Sequence, residues 1–182
     1  MENTDTRIQV TKAIFHKAML ELLEEKAIGF ISVKELCERA GLNRGTYYLH
    51  YSEPMDVLHE MEENLKSGFA HSPSDLFGEE LPELLAILMK KRRLTAVIIG
   101  HNGNPAFLKA VRDEEFLKAE PYLCRQYPTA ARNEIRWAFD FVFSGCTGLV
   151  TAWLQEENPE PAELFAKRLS CFCESAFNTL QT

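Results

Sequence analysis

The sequence predicts an all-α fold of about nine helices. Three observations carry that prediction. Apolar residues return at helical spacing along most of the chain, most clearly Phe15, Ala18, Met19, Leu22 and Leu23. The interruptions are short and contain glycine or proline. Alternation of the kind that marks strands is nearly absent. The 182 residues suffice for one large or two small domains, and a 46% hydrophobic content makes a packed core affordable.

Each element has its own signal. The first helix is expected from about Thr4 to Glu25, ending near Gly29. Ser32 is a good N-cap, and Glu35 three residues later completes a capping box. Val33, Leu36, Cys37 and Ala40 then form a one-faced second helix, stopped by Gly41. Asn43 can cap a short third helix to about His50. Pro54 suits the first turn of a fourth, to about Ser67. A loop is expected through Gly68, Ser72, Pro73, Ser74 and Gly78. Five helical segments follow, about Leu81–Arg92, Leu94–Ile99, Pro105–Tyr127, Ala130–Gln155 and Pro161–Leu180. This gives an N-terminal helix-turn-helix domain over 1–52, a connector helix over 54–67, and a helical regulatory and dimerisation domain over 68–182.

Composition narrows the function. The net charge of −7 is unevenly placed: residues 1–51 hold seven bases and seven acids, so the acidity lies entirely beyond them. A neutral head on an acidic body can bind DNA with modest non-specific affinity, away from that body. Apolar runs such as Ala96 to Ile99 are far too short to suggest a membrane span, and the polar start has no signal-peptide character. The five scattered cysteines read as buried thiols of a reduced, cytoplasmic protein.

On a wheel of roughly 100° per residue, the short third helix has two faces. Tyr47 and Tyr51 share the side that packs on the first two helices, while Gly45, Thr46 and Leu49 point toward a groove. Tyr48 and His50 stand on the borders, where phosphates would lie, and Arg44 is at the leading tip. Arginine can pair with guanine O6 and N7, and threonine can reach a phosphate or a thymine methyl. The same residues also fit an ordinary helical hairpin with half-buried tyrosines.

Residues 7–65 resemble the N-terminal domain of the TetR/AcrR family of transcriptional regulators. The run Ile31-Ser32-Val33-Lys34-Glu35-Leu36-Cys37-Glu38-Arg39-Ala40-Gly41-Leu42-Asn43-Arg44-Gly45-Thr46-Tyr47-Tyr48-Leu49-His50-Tyr51 carries the likeness, through its Ala-Gly-apolar turn and its Thr-apolar-Tyr-x-His-aromatic end. The resemblance implies that Tyr48 and His50 contact phosphate and that Arg44, Gly45, Thr46 and Leu49 face the groove, with Lys34 and Asn43 beside them. One departure stands out: Pro54, preceded by Glu53, occupies the place of a usual phosphate-anchoring lysine. Lower DNA affinity, compensation by Lys12, Lys17 or Lys34, or loss of DNA binding are the open consequences.

The eighth helix carries two stripes. Ile135, Phe139, Val142, Cys146, Leu149 and Trp153 form one; Phe141, Gly145, Gly148 and Ala152 form another whose small residues let a second helix approach. With Phe165, Leu169, Phe172 and Ala176 of the ninth helix, the second stripe is expected to make a two-fold four-helix interface. The alternative is a buried pair inside a monomer. The segment from Phe143 through Gly145, Gly148 and Trp153 to Leu164 is also similar to the C-terminal domain of a subgroup that includes dihydroxyacetone-kinase regulators. Such families usually act as repressors released by a small ligand. A cavity for such an effector is expected among helices five to eight, lined by Leu88, Ile98, Phe107, Phe116, Trp137 and Phe141, each of which is equally plain core. His101, Asn102 and Asn104 form a polar loop, and Lys90-Lys91-Arg92-Arg93 is expected to complement the C-terminal dipole of its own helix.

Enzyme chemistry finds no support. Only Asp56 and His59 approximate a Glu-x-x-His pair, and Cys171-x-Cys173 has the wrong spacing for redox or zinc motifs. Neither a phosphate-cradling glycine loop nor a nucleophile elbow occurs. No metal or cofactor is expected. The sequence therefore points to a homodimeric, cytoplasmic regulator of double-stranded operator DNA with a small-molecule effector and no membrane contact. A protein-interaction module or co-activator with little DNA binding of its own is the second reading.

Overall fold

The computed structural model describes residues 2–67 and 81–181. The described residues form nine α-helices and no strand. They are α1 (Glu2–Glu25), α2 (Val33–Ala40), α3 (Arg44–Tyr48), α4 (Pro54–Lys66), α5 (Leu81–Lys90), α6 (Arg92–Ile98), α7 (Pro105–Gln126), α8 (Arg132–Gln155) and α9 (Ala162–Asn178), with single 3-10 turns at Ile28–Phe30 and Thr179–Gln181. The loop expected at Gly68 to Gly78 lies outside the described residues.

The local signals act where the sequence places them. Ser32 Oγ accepts the Glu35 N–H while Glu35 accepts the Ser32 N–H at 3.1 Å, closing the capping box. Gly41 ends α2 at φ +65°, a left-handed position that glycine occupies without steric cost. Asn43 Oδ1 accepts the Thr46 N–H at 2.8 Å and opens α3. Asn104 does the same for α7 by accepting the Ala106 N–H.

Three apolar cores result. The first joins α1 to α4: Phe15, Met19, Leu23, Leu36, Tyr47, Val57, Leu58 and Leu65 are shut from solvent or nearly so. Ile98 at the end of α6 belongs to this same core, so α6 is packed into the N-terminal head. The second gathers Leu85 of α5, Trp153 and Leu154 of α8, and Phe165 and Leu169 of α9, with Trp153 and Phe165 stacked at 4.7 Å between ring centroids. The third holds Phe116 and Leu123 of α7 against Ile135 and Phe139 of α8 and Phe177 of α9.

The basic run at 90–93 works as a staple between helices. Arg92 donates to the carbonyls of Leu154 and Glu156, so it complements the C-terminus of α8 and not that of its own segment. Arg93 forks onto Glu24 of α1 at 3.0 and 2.9 Å. Helix α8 itself is long and apolar enough, by length and composition alone, to cross a membrane, which the short apolar runs of the sequence had not suggested. In this fold it packs on α6, α7 and α9, and Arg136 within it pairs with Asp113 and Asp140. Only 28% of its most apolar window is buried, so a wide face remains open.

Candidate nucleic-acid interface and candidate effector cavity

Helix α3 is anchored by one side. Tyr47 is fully buried and meets Phe15 edge-on at 5.3 Å; Tyr51 is 6% exposed and meets the same ring at 6.0 Å. The Tyr51 hydroxyl donates to Glu60 at 2.9 Å, and Glu60 in turn binds Lys12 at 3.0 Å. These contacts fix the roll of α3. The opposite side is thereby turned outward: Leu49 is 79% and Tyr48 59% exposed, Arg44 and Gly45 are exposed, and Thr46 and His50 are half-buried. Lys34 is exposed on α2 and pairs with Glu38 at 3.8 Å. Arg44, Gly45, Thr46, Tyr48, Leu49 and His50 thus form one continuous surface with Asn43 at its edge. Glycine at 45 leaves the cap room, since a Cβ there would stand 3.1 Å from the capping Asn43 Oδ1.

One lysine weighed as a phosphate anchor, and the start of α4, are otherwise engaged. Lys12 is held in the Glu60–Tyr51 contact, with its ammonium over the Tyr51 ring. The start of α4 is closed by Asp56, whose Oδ2 accepts the N–H groups of Ser52 and Glu53 at 2.7 and 3.0 Å. Those two bonds pull the Asp56 carboxyl below its ordinary range. A negative side chain therefore sits where an anion would otherwise meet free N–H groups. This neighbour was not read from the sequence, although an acid three residues after Glu53 is a capping signal.

A cavity of about 440 Å³ lies among the ends of α4 to α8. Leu88 and Phe107 line it as expected, together with Leu84, Ile99, Val111, Phe143, Cys146 and Val150. The other four expected residues do not. Ile98 is turned into the core of the head, and Phe116 packs against Phe139 at 5.3 Å. Trp137 and Phe141 are 65% and 72% exposed on the outer side of α8. At its rim Glu114 pairs with Lys66 and, at 2.9 Å, with Lys118, contacts that hold its carboxyl at about 2. Glu115 points a buried oxygen, Oε2, without a hydrogen-bond partner.

The expected interface residues also divide. Phe141, Gly145, Gly148 and Ala152 are exposed along α8, and Trp137 extends their stripe by one turn. Phe172 of α9 is 61% exposed, and Ala176 is half-buried and lines a surface pocket with Trp137 and Phe141. Phe165 and Leu169, in contrast, are core residues under α5 and α8. The outer face of α9 is carried by Leu164, Cys171 and Phe172 instead. Among the described residues no group of three or more His, Cys, Asp or Glu is placed to hold a metal ion.

Superposed on solved structures, the chain matches a TetR transcriptional regulator from Streptococcus agalactiae 2603V, with a TM-score of 0.67, 94% of this chain and 98% of that one covered, and 22% identity. The two chains share one fold. In the TetR fold the helical head and body described above are reproduced over nearly the whole length of both chains. By sequence the chain is 33% identical over 114 residues to the uncharacterised HTH-type transcriptional regulator YxbF of Bacillus subtilis (strain 168). That match takes in 57% of this chain and spans only 30% of the longer relative. No family model matches the sequence.

Proposed function

We propose that this chain is a TetR-type transcriptional regulator that binds operator DNA as a homodimer, each head laying α3 in a major groove. The observation that carries the reading is the two-sidedness of α3: Tyr47 and Tyr51 are locked into the core, and Arg44, Thr46, Tyr48, Leu49 and His50 are left facing out. An arginine-tipped helix with exposed aromatic shoulders has the shape and donors that a groove and its phosphates require. The TetR fold and the relative named as an HTH-type regulator support the same reading. Residues 1–52 serve as the head, 54–67 as the connector, and the remainder as the regulatory and dimerising body. Two protomers join through the outer faces of α8 and α9, where Trp137, Phe141, Gly148 and Phe172 otherwise stand in water.

The mode is repression, relieved when a small amphipathic molecule enters the cavity beside α6. Apolar walls suit its body, and the unpaired Glu115 oxygen suits a donor on it. Because Ile98 of α6 is packed into the head, a ligand that moves α6 biases the head's position. Gel shifts with the protein's own promoter region test the proposal. Retention that weakens with salt is expected; no retention at low salt overturns it. One observation favours a second reading, a co-activator with weak DNA binding: Asp56 closes the α4 N-terminus to phosphate. In that case the promoter is retained only when a partner protein is added.

A further inference from the structure

Cys146 of α8 and Cys173 of α9 face each other with their Sγ atoms 3.4 Å apart. Both are free thiols, and they are not equivalent. Cys146 lines the cavity; Cys173 lies directly behind it, 2% exposed. A sulfur in a cavity wall backed by a second sulfur within hydrogen-bonding distance is the arrangement of an attacking and a resolving thiol. We propose that Cys146 and Cys173 form an oxidation site that closes to a disulfide, and that its oxidant is an apolar organic hydroperoxide admitted by the cavity. This inference does not depend on the DNA-binding reading.

Closing the pair needs little movement. A disulfide bond is about 2.05 Å long, so the sulfurs must approach by about 1.4 Å, within reach of small side-chain rotations on two helices already in contact. The contact also polarises the pair. The contact lowers the Cys146 thiol, while the same contact and burial raise that of Cys173. Cys146 is the sulfur that borders the cavity and Cys173 is shut away behind it, so Cys146 is the one an oxidant meets and the attacking group. The walls choose the oxidant. Leu84, Leu88, Phe107, Phe143 and Val150 surround the approach to Cys146. A charged disulfide such as oxidised glutathione would lose hydration against these walls, and the rim charges Lys66, Glu114 and Lys118 already pair with one another, whereas an alkyl or aryl hydroperoxide brings an apolar body.

The chemistry balances with that oxidant alone. The Cys146 thiolate attacks the hydroxyl-bearing oxygen of the peroxide; an S–O bond forms, the O–O bond breaks, and Cys146 becomes a sulfenic acid. The departing alkoxide takes the Cys173 proton and leaves as the alcohol. The Cys173 thiolate then attacks the Cys146 sulfur; the S–S bond forms, the S–O bond breaks, and hydroxide takes a solvent proton to leave as water. Two thiols give up two electrons and the peroxide gains them.

The test uses the full chain with its two exposed cysteines replaced, Cys124→Ser and Cys171→Ser. On treatment with cumene hydroperoxide we expect the intact mass to fall by two hydrogens, a Cys146–Cys173 cross-linked peptide, and full reversal by dithiothreitol. Formation should be about ten-fold or more faster than with equimolar hydrogen peroxide, because access to the attacking sulfur sets the rate. Adding Cys173→Ser should leave a sulfenic acid on Cys146 that dimedone captures. An unchanged mass, or a cross-link or dimedone adduct at other positions, overturns the site. Hydrogen peroxide acting as fast as the apolar peroxide overturns the assigned oxidant. Should the Cys173→Ser chain not fold, the peptide map of the protein retaining both thiols decides the matter.

Discussion

Asn102 donates through Nδ2 to the carbonyl of Leu23 at 2.9 Å, and its own carbonyl accepts the Ile28 N–H at 3.3 Å. One residue of the α6–α7 loop thus serves the end of α1 twice. Leu23 is in the last turn of α1, where carbonyls lack partners within the helix, and Ile28 opens the following 3-10 turn. The polar loop is thus a clasp between body and head.

Asn102→Ala should therefore loosen the head without touching its groove face. Removing a partly buried side-chain bond to a helix end costs about 1 kcal/mol. Thermal unfolding should show that loss, and amide exchange should rise at Lys26 to Phe30 while α8 and α9 are unaffected. Unchanged exchange at the α1 end would show that the clasp carries no load.

Stability should depend on pH through Glu62. This carboxyl is 3% exposed on the inner side of α4, and burial raises it to about 7, against the lowering effect of a hydrogen bond from Asn104. Unfolded, it returns to the ordinary range near about 4.3. Between these values the folded chain holds a proton that the unfolded chain has lost, so this contribution falls as pH rises through the window and levels off above about 7. Glu62→Gln should stabilise the protein at pH 8 by about 3 kcal/mol and have little effect at pH 4, as read by denaturant melts at the two pH values. An equal effect at both would exclude this titration.

Arg44→Ala should relax sequence preference at one base pair and cost about 1–3 kcal/mol of affinity there, measured by binding to a set of operator variants. A uniform loss over all sequences would make Arg44 a phosphate contact instead.

Gly148→Glu and Phe141→Lys should give monomers in sedimentation velocity. The glycine change is the cleaner of the two, because a Cβ at 148 meets nothing within 4 Å inside the chain, so folding is spared and only an apposed helix is repelled. A sedimentation coefficient unchanged from the parent protein would exclude this face as the contact.

The helix starts and stops were legible because each is decided within four residues: Ser32 with Glu35, Asn43 with Thr46, Gly41 at positive φ. The roll of α3 was legible for a related reason, since Tyr47 within it and Tyr51 just beyond its end are large rings four residues apart that share one side. The roles of Ile98, Phe116, Trp137, Phe141, Phe165 and Leu169 were not, because helical spacing marks a stripe as apolar without saying what covers it. Only the packing of α5 and α8 over Phe165 and Leu169, and of the head over Ile98, assigned those stripes to core. The same packing left Trp137 and Phe141 outside and brought Cys146 to Cys173 from 27 residues away in the chain. Sequence alone determined the helices and the outward face of α3, which depend on neighbours along the chain; tertiary structure decided the cavity, the open face and the thiol pair, which depend on neighbours across it.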